Sequence, residues 1–192
     1  GDHRDLLSFP TRRSSDLATL TPGGHVINNN HIQNYSRLSG AFTPAILMHG
    51  VGNRLSHNEI DDAAAIGIYF IANESVLEFN NLHDICRDGG DVGAIYTGRQ
   101  YTARGNVIRY NFIHEIGGYG NIGSNGMYFD DCMSGQTLFG NVFRNSPHAT
   151  FIGGGRDLTI ENNIYIGCEP AIQMDARGLD PAPVWRDRKS VV

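Results

Sequence analysis

Apolar and polar positions alternate along this chain in a recurring phrase: an isoleucine or leucine, two residues, an asparagine, one residue, then a second apolar side chain. It occurs six times, at Ile27/Asn30/Ile32, Leu55/Asn58/Ile60, Leu77/Asn80/Leu82, Ile108/Asn111/Ile113, Leu138/Asn141/Phe143 and Ile160/Asn163/Tyr165. Successive asparagines lie 28, 22, 31, 30 and 22 residues apart, a period that belongs to solenoids rather than to a globule with one closed core. The spacing of apolar residues around each Asn predicts short strands meeting at a turn. A buried Asn persists only if its amide and carbonyl are paired. Identical turns stacked at about 4.8 Å let each Asn bond the turns above and below, so the six are expected to form one inward-facing structural ladder.

A second strand sits between the phrases, at PAILMHG, IGIYFIA, GAIYTGR, NGMYFDD, HATFIGG and PAIQMDA. Side chains alternate faces along a strand. Aligning the six puts Ile46, Ile68, Ile95, Met127, Thr150 and Ile172 in the core, followed by Met48, Phe70, Thr97, Phe129, Ile152 and Met174. The outward face then carries Leu47, Tyr69, Tyr96, Tyr128, Phe151 and Gln173, and beyond it His49, Ile71, Gly98, Asp130, Gly153 and Asp175. With no sustained helical period, the expected fold is all-β: a right-handed parallel β-helix, an incomplete piece of about six coils.

Extra residues gather at one corner. From the ladder Asn to the next strand the gap is 15, 14 and 15 residues in three coils and 8 or 9 in the others. The long segments, around SRLSGAF, RDGGD and GGYGNIG, would wall one side of the outer sheet, and insertions gathered on one face mark a solenoid's binding side.

The two ends read differently. Residues 1–17 resemble one reading frame of a common sequencing adapter, and residues 187–192 resemble its reverse complement. Both are expected to be extraneous to the fold, which leaves a β-helix segment over 18–186 that reads as an internal piece of a longer protein. That segment holds 16 acids and 10 bases, a balance that disfavours nucleic-acid and anionic-membrane partners. Lys189 is the only lysine, so the segment offers no lysine base. Cys86, Cys132 and Cys168 lack metal-ligand spacing and read as small core fillers; no metal is expected.

The candidate chemistry lies beyond the insertions, in Asp88, Asp91, Arg99, Tyr101, Asp130, Asp131, Asp175 and Arg177. Asp130 and Asp175 share an outward column two coils apart, which puts their backbones about 9–10 Å apart. Glycoside hydrolysis needs one carboxyl to protonate the leaving oxygen and another as nucleophile or base. Equally, these acids have Arg99, Arg156 and Arg177 available as ion-pair partners. Gly153 to Gly155 remove side chains where a flat ring would approach, and Tyr96, Tyr128 and Phe151 either offer an aromatic platform for a sugar face or lie buried beneath neighbouring loops. The histidines His31, His57, His83 and His114 read as turn residues; His49, in the column of Asp130, is a substrate-binding candidate.

The run from Cys86 to Leu179, through CRDGGDVGAIYTGRQYTARGN, NGMYFDDCMSGQTLFGN and FIGGGRDLTIENNIYIGCEPAIQMDARGL, resembles bacterial right-handed β-helix proteins of the glycoside hydrolase family 141 type. The resemblance implies hydrolysis of plant cell-wall polysaccharide, fucosidase- or xylanase-like, by a secreted or periplasmic monomer without cofactor. It points to Asp91 and to Asp130 or Asp131 as catalytic carboxylates; the residue pattern itself offers His49, Tyr96, Arg99, Tyr101, Tyr128, Asp175 and Arg177 as substrate-binding candidates. Two alternatives stay open: a polysaccharide lyase on the same fold, which would use calcium, and a non-catalytic glycan-binding β-helix.

Overall fold

The computed structural model describes residues 18–40, 42–118, 123–177 and 179. Both adapter-like ends, and residues 119–122 of the third insertion, lie outside the described residues. Each of six rungs contributes one strand to each of three parallel sheets, and no α-helix occurs among the described residues. The first sheet stacks Val26–Asn28, Arg54–Ser56, Val76–Glu78, Val107–Arg109, Thr137–Phe139 and Thr159–Glu161. The second stacks His31–Gln33, Glu59–Asp61, Asn81–His83, Phe112–His114, Val142–Arg144 and Ile164–Ile166. The third stacks Ile46–Val51, Ile68–Asn73, Val92–Gly98, Ser124–Asp130, His148–Gly153 and Ile172–Asp175. This is the right-handed parallel β-helix read from the repeat, the hand that parallel crossovers take.

The ladder explains why the rungs keep register. Asn30 donates through Nδ2 to Asn58 Oδ1 at 2.8 Å, and the same bond repeats from Asn58 to Asn80, Asn80 to Asn111, Asn111 to Asn141 and Asn141 to Asn163 at 2.9–3.0 Å. Each Oδ1 also accepts the backbone N–H of the preceding ladder Asn. The second amide hydrogen goes to the carbonyl of the apolar residue that opens the preceding phrase, as from Asn111 to Leu77 at 3.0 Å. Every polar atom of an interior Asn is therefore satisfied inside the core. The residue before each ladder Asn turns the chain in the left-handed region: Asn29, His57, Phe79, Tyr110, Gly140 and Asn162 have φ between 54° and 64°.

A second ladder, not anticipated, occupies another corner. His25 N donates to Asn53 Oδ1, Asn53 N to Ser75 Oγ and Ser75 N to Asn106 Oδ1, at 3.2, 3.0 and 3.0 Å; Asn106 Nδ2 then donates to Gln136 Oε1 at 2.9 Å.

Inside, the third sheet follows the predicted register: Ile46 pairs with Ile68, Ile68 with Ile95, Ile95 with Met127, Met127 with Thr150 and Thr150 with Ile172. Leu55, Leu77, Ile108 and Leu138 fill the opposite side and are at most 1 % exposed. Of the cysteines Cys86 is fully buried in the core, while Cys132 and Cys168 are half-buried, Cys168 packing against the core from outside.

On the outer face of the second sheet, the rings of His83 and His114 stack 4.8 Å apart. Burial pulls His83 down, but hydrogen bonds to Asp84 and Glu59 outweigh it, and its net pKa is raised. His114 is lowered, by burial first and then by the charges of His83 and Arg144. An NMR titration is expected to show His83 protonating above the ordinary value of 6.5 and His114 below it. The two oppose each other in stability. The His83 contribution is full below pH 6.5 and fades as pH rises through its folded value, whereas that of His114 fades as pH falls below 6.5. The reverse order of titration would refute the assigned contacts.

Candidate functional site

The third sheet carries the site on its outward side. Strands Val92–Gly98 and Ser124–Asp130 end together, with Gly98 opposite Asp130. Arg99 and Asp131 follow in the left-handed region, at φ 65° and 41°. Equivalent turns on neighbouring rungs thus bring opposite charges together, and Arg99 Nε donates to Asp131 Oδ2 at 2.6 Å. Left-handed residues punctuate every corner of this solenoid, so the backbone here is not exceptional within the chain.

Asp130 is buried and fully engaged. Its Oδ2 accepts the Tyr96 hydroxyl at 2.7 Å, and its Oδ1 accepts Arg177 Nη1 at 2.7 Å and the Asp131 N–H at 2.8 Å. Arg177 also reaches Asp131 Oδ1 at 3.3 Å, while its Nη2 lies 2.7 Å from Asp175 Oδ2. Its guanidinium lies over the Phe151 ring, 5.2 Å from the centroid. Burial works against its charge, but the Asp175 hydrogen bond and surrounding groups outweigh burial and raise its pKa further. Asp91 differs: it is exposed, and the partner shown for its carboxylate is the Tyr128 hydroxyl, at 2.9 Å.

The outward aromatic column exists in the predicted order, but it is not a platform. Tyr96 and Tyr128 are 3 % and 1 % exposed. They pack edge-to-face at 5.3 Å, and Tyr128 stacks on Phe151 at 4.9 Å. No ring face is left for a sugar, because neighbouring rungs cover both sides; what these tyrosines present is the hydroxyl. Burial first, then the neighbouring carboxylates, push both phenols well above their usual range, so they remain donors.

The glycines also serve another purpose than the one expected. A Cβ on Gly98 would lie 2.9 Å from Asp130 Cβ, and one on Gly153 would lie 2.9 Å from Arg177 Cζ. The missing side chains make room for the carboxylate and the guanidinium, not for a substrate ring.

Asp91, Asp130, Asp131, Arg99, Arg177 and Tyr128 line a cavity of about 490 Å³, completed by Phe151, Gln173 and His148. Other expected site residues fall elsewhere. His49 is exposed in the predicted column but stands three rungs from Asp130, roughly 14 Å away at the rung spacing. Tyr101 is half-buried and outside the cavity wall. Tyr96 stands behind Asp130, and Asp175 anchors Arg177 instead of facing Asp130 as a second carboxylate. His148 was not anticipated. It pairs in register with Asn125, and its Nδ1 is buried without a hydrogen-bond partner. A polar residue at the same position of two adjacent strands was the available signal.

Among the described residues no three His, Cys, Asp or Glu side chains converge as metal ligands, and no helix is long and apolar enough to cross a membrane. Comparison with protein-family models, curated proteins and solved structures gives no match.

Proposed function

We propose that this chain is a carbohydrate-active β-helix, a glycoside hydrolase acting on plant cell-wall polysaccharide outside the cytoplasm. The observation that carries the proposal is the meeting of Asp91, Asp130 and Asp131, from two adjacent rungs, in one cavity with Arg99 and Arg177. Asp130 is the carboxylate held in place, by Arg177 and by the Tyr96 hydroxyl. Asp91 is open to solvent and accepts the Tyr128 hydroxyl. Glycosidic cleavage uses two carboxyl groups flanking the scissile bond, and these are the candidates. The sugar class rests on the family resemblance of the Cys86 to Leu179 run.

One observation favours a second reading, a glycan-binding β-helix without catalysis: Asp130 and Asp131 already form ion pairs with Arg177. A lyase is less well supported, since both cavity arginines are bonded to carboxylates and neither is free to act as base. Incubation with a panel of plant polysaccharides separates the three. A hydrolase yields new reducing ends without ultraviolet absorption, a lyase yields an absorbing unsaturated end, and a binding module yields neither.

A further inference from the structure

Asp91 comes from an insertion and Asp130 from a sheet strand, so the placement of one beside the other has to be enforced. The insertion leaves the second sheet after His83 and returns as strand Val92–Gly98 of the third. Its sequence, RDGGD, has two glycines, which by themselves would give a carboxylate at this turn many positions. One strand of the next rung, Ser124–Asp130, removes that freedom. Ser124 Oγ lies 3.1 Å from the Cys86 carbonyl and 2.9 Å from the Gly89 carbonyl, sharing its hydrogen between them. Asn125 Nδ2 donates to the Val92 carbonyl at 2.9 Å, and the Asp91 N–H donates to the Gly123 carbonyl at 3.2 Å. Ser124 and Asn125 are fully buried, so these bonds do not compete with solvent.

With the backbone of the turn fixed and Asp91 at φ 57°, the side-chain torsions of Asp91 are what remains to be set. Tyr128, on the same strand, donates its hydroxyl to Asp91 Oδ1 at 2.9 Å. Its ring has nowhere to go: it is buried, edge-on to Tyr96 and stacked on Phe151. Engaging Oδ1 leaves Oδ2 of Asp91 for whatever enters the cavity that Asp91 lines.

We infer that Tyr128 is a positioning residue, whose hydroxyl holds the Asp91 carboxyl in the one orientation that meets a glycosidic oxygen. Strand Ser124–Asp130 then places both carboxylates, Asp130 by carrying it and Asp91 by holding it. The inference rests on the hydrolytic reading of this cavity. Tyr128 acts on the substrate through Asp91 and not by contact. Misplacing a reacting group by about 1 Å costs about 100-fold in rate.

Tyr128→Phe tests this, because it deletes the hydroxyl and keeps the ring stack. On a polysaccharide that the wild type cleaves, kcat should fall by about 10- to 100-fold with KM changed less than about 2-fold. Asp130 and Arg177 also act on the Tyr128 hydroxyl, so the same substitution is made in an Asp91→Asn background. There it should slow turnover no further, since a residue that works through Asp91 has nothing left to position. Independently of activity, NMR couplings about the Asp91 Cα–Cβ bond should report one side-chain rotamer in the wild type and an average of several in Tyr128→Phe. Unchanged kcat in Tyr128→Phe overturns the inference and leaves the hydrolytic reading standing, as does a further loss of the same size in the Asp91→Asn background. A wild type that cleaves nothing overturns the hydrolytic reading instead, and the couplings then decide alone: one rotamer in both proteins overturns the hold of Tyr128 on Asp91, and averaging only in the variant supports it.

Discussion

Asn111→Ala, an interior ladder substitution, is expected to destabilise the chain by about 3–5 kcal/mol. Asn111 Oδ1 accepts both the backbone N–H and the side-chain amide of Asn80, each at 2.9 Å, and its own Nδ2 serves Leu77 O and Asn141 Oδ1. Alanine removes all four bonds and leaves two donors of Asn80 buried without their acceptor. The cost is that of orphaned buried groups rather than that of hydrogen bonds exchanged with solvent. Asn30→Ala provides the contrast. That side chain is exposed and bonded on one side only, so its loss should cost less than about 1 kcal/mol. Equal effects in chemical denaturation would mean that the ladder does not carry the stacking.

Asp130→Asn is expected to lower turnover on a responsive polysaccharide by at least about 100-fold, the scale of a lost acid–base or nucleophilic group. It should also reduce stability. Asp130 is 4 % exposed, and the neutral amide leaves Arg177 without its shortest buried partner. Breaking a buried ion pair costs up to about 3–5 kcal/mol; because Asp131 and Asp175 still hold the guanidinium, the expected loss is about 1–2 kcal/mol. Asp130 therefore joins a structural role to the proposed chemical one. A variant that loses stability but keeps near-native turnover would leave it with the structural role alone.

The parts of this molecule that repeat were legible in its sequence. Six phrases with one Asn each specify the ladder, and the alternation in PAILMHG and its relatives gave the register of the third sheet residue by residue, because one face of a strand is buried and a slip of one would expose it. The second ladder was hidden because Asn53, Ser75, Asn106 and Gln136 fill one role with three residue types. The site was legible only as a neighbourhood. Columns placed Asp130 near Gly98 and Gly153, but no spacing reveals that Arg177 folds back across two rungs to fill the gap above Gly153. Nor does an alternation pattern say that the outward rings of Tyr96 and Tyr128 are covered. His49 illustrates the opposite error: a shared column is not a shared place when three rungs intervene.

Asp91 provides the most direct test of the central claim, since it lines the cavity, is exposed, and has the Tyr128 hydroxyl rather than an arginine as its carboxylate partner. The measurement is the turnover of Asp91→Asn on a polysaccharide that the wild type cleaves, read beside its thermal unfolding. The account expects a loss of at least about 100-fold with an unchanged unfolding midpoint. Near-native turnover at an unchanged midpoint would contradict it.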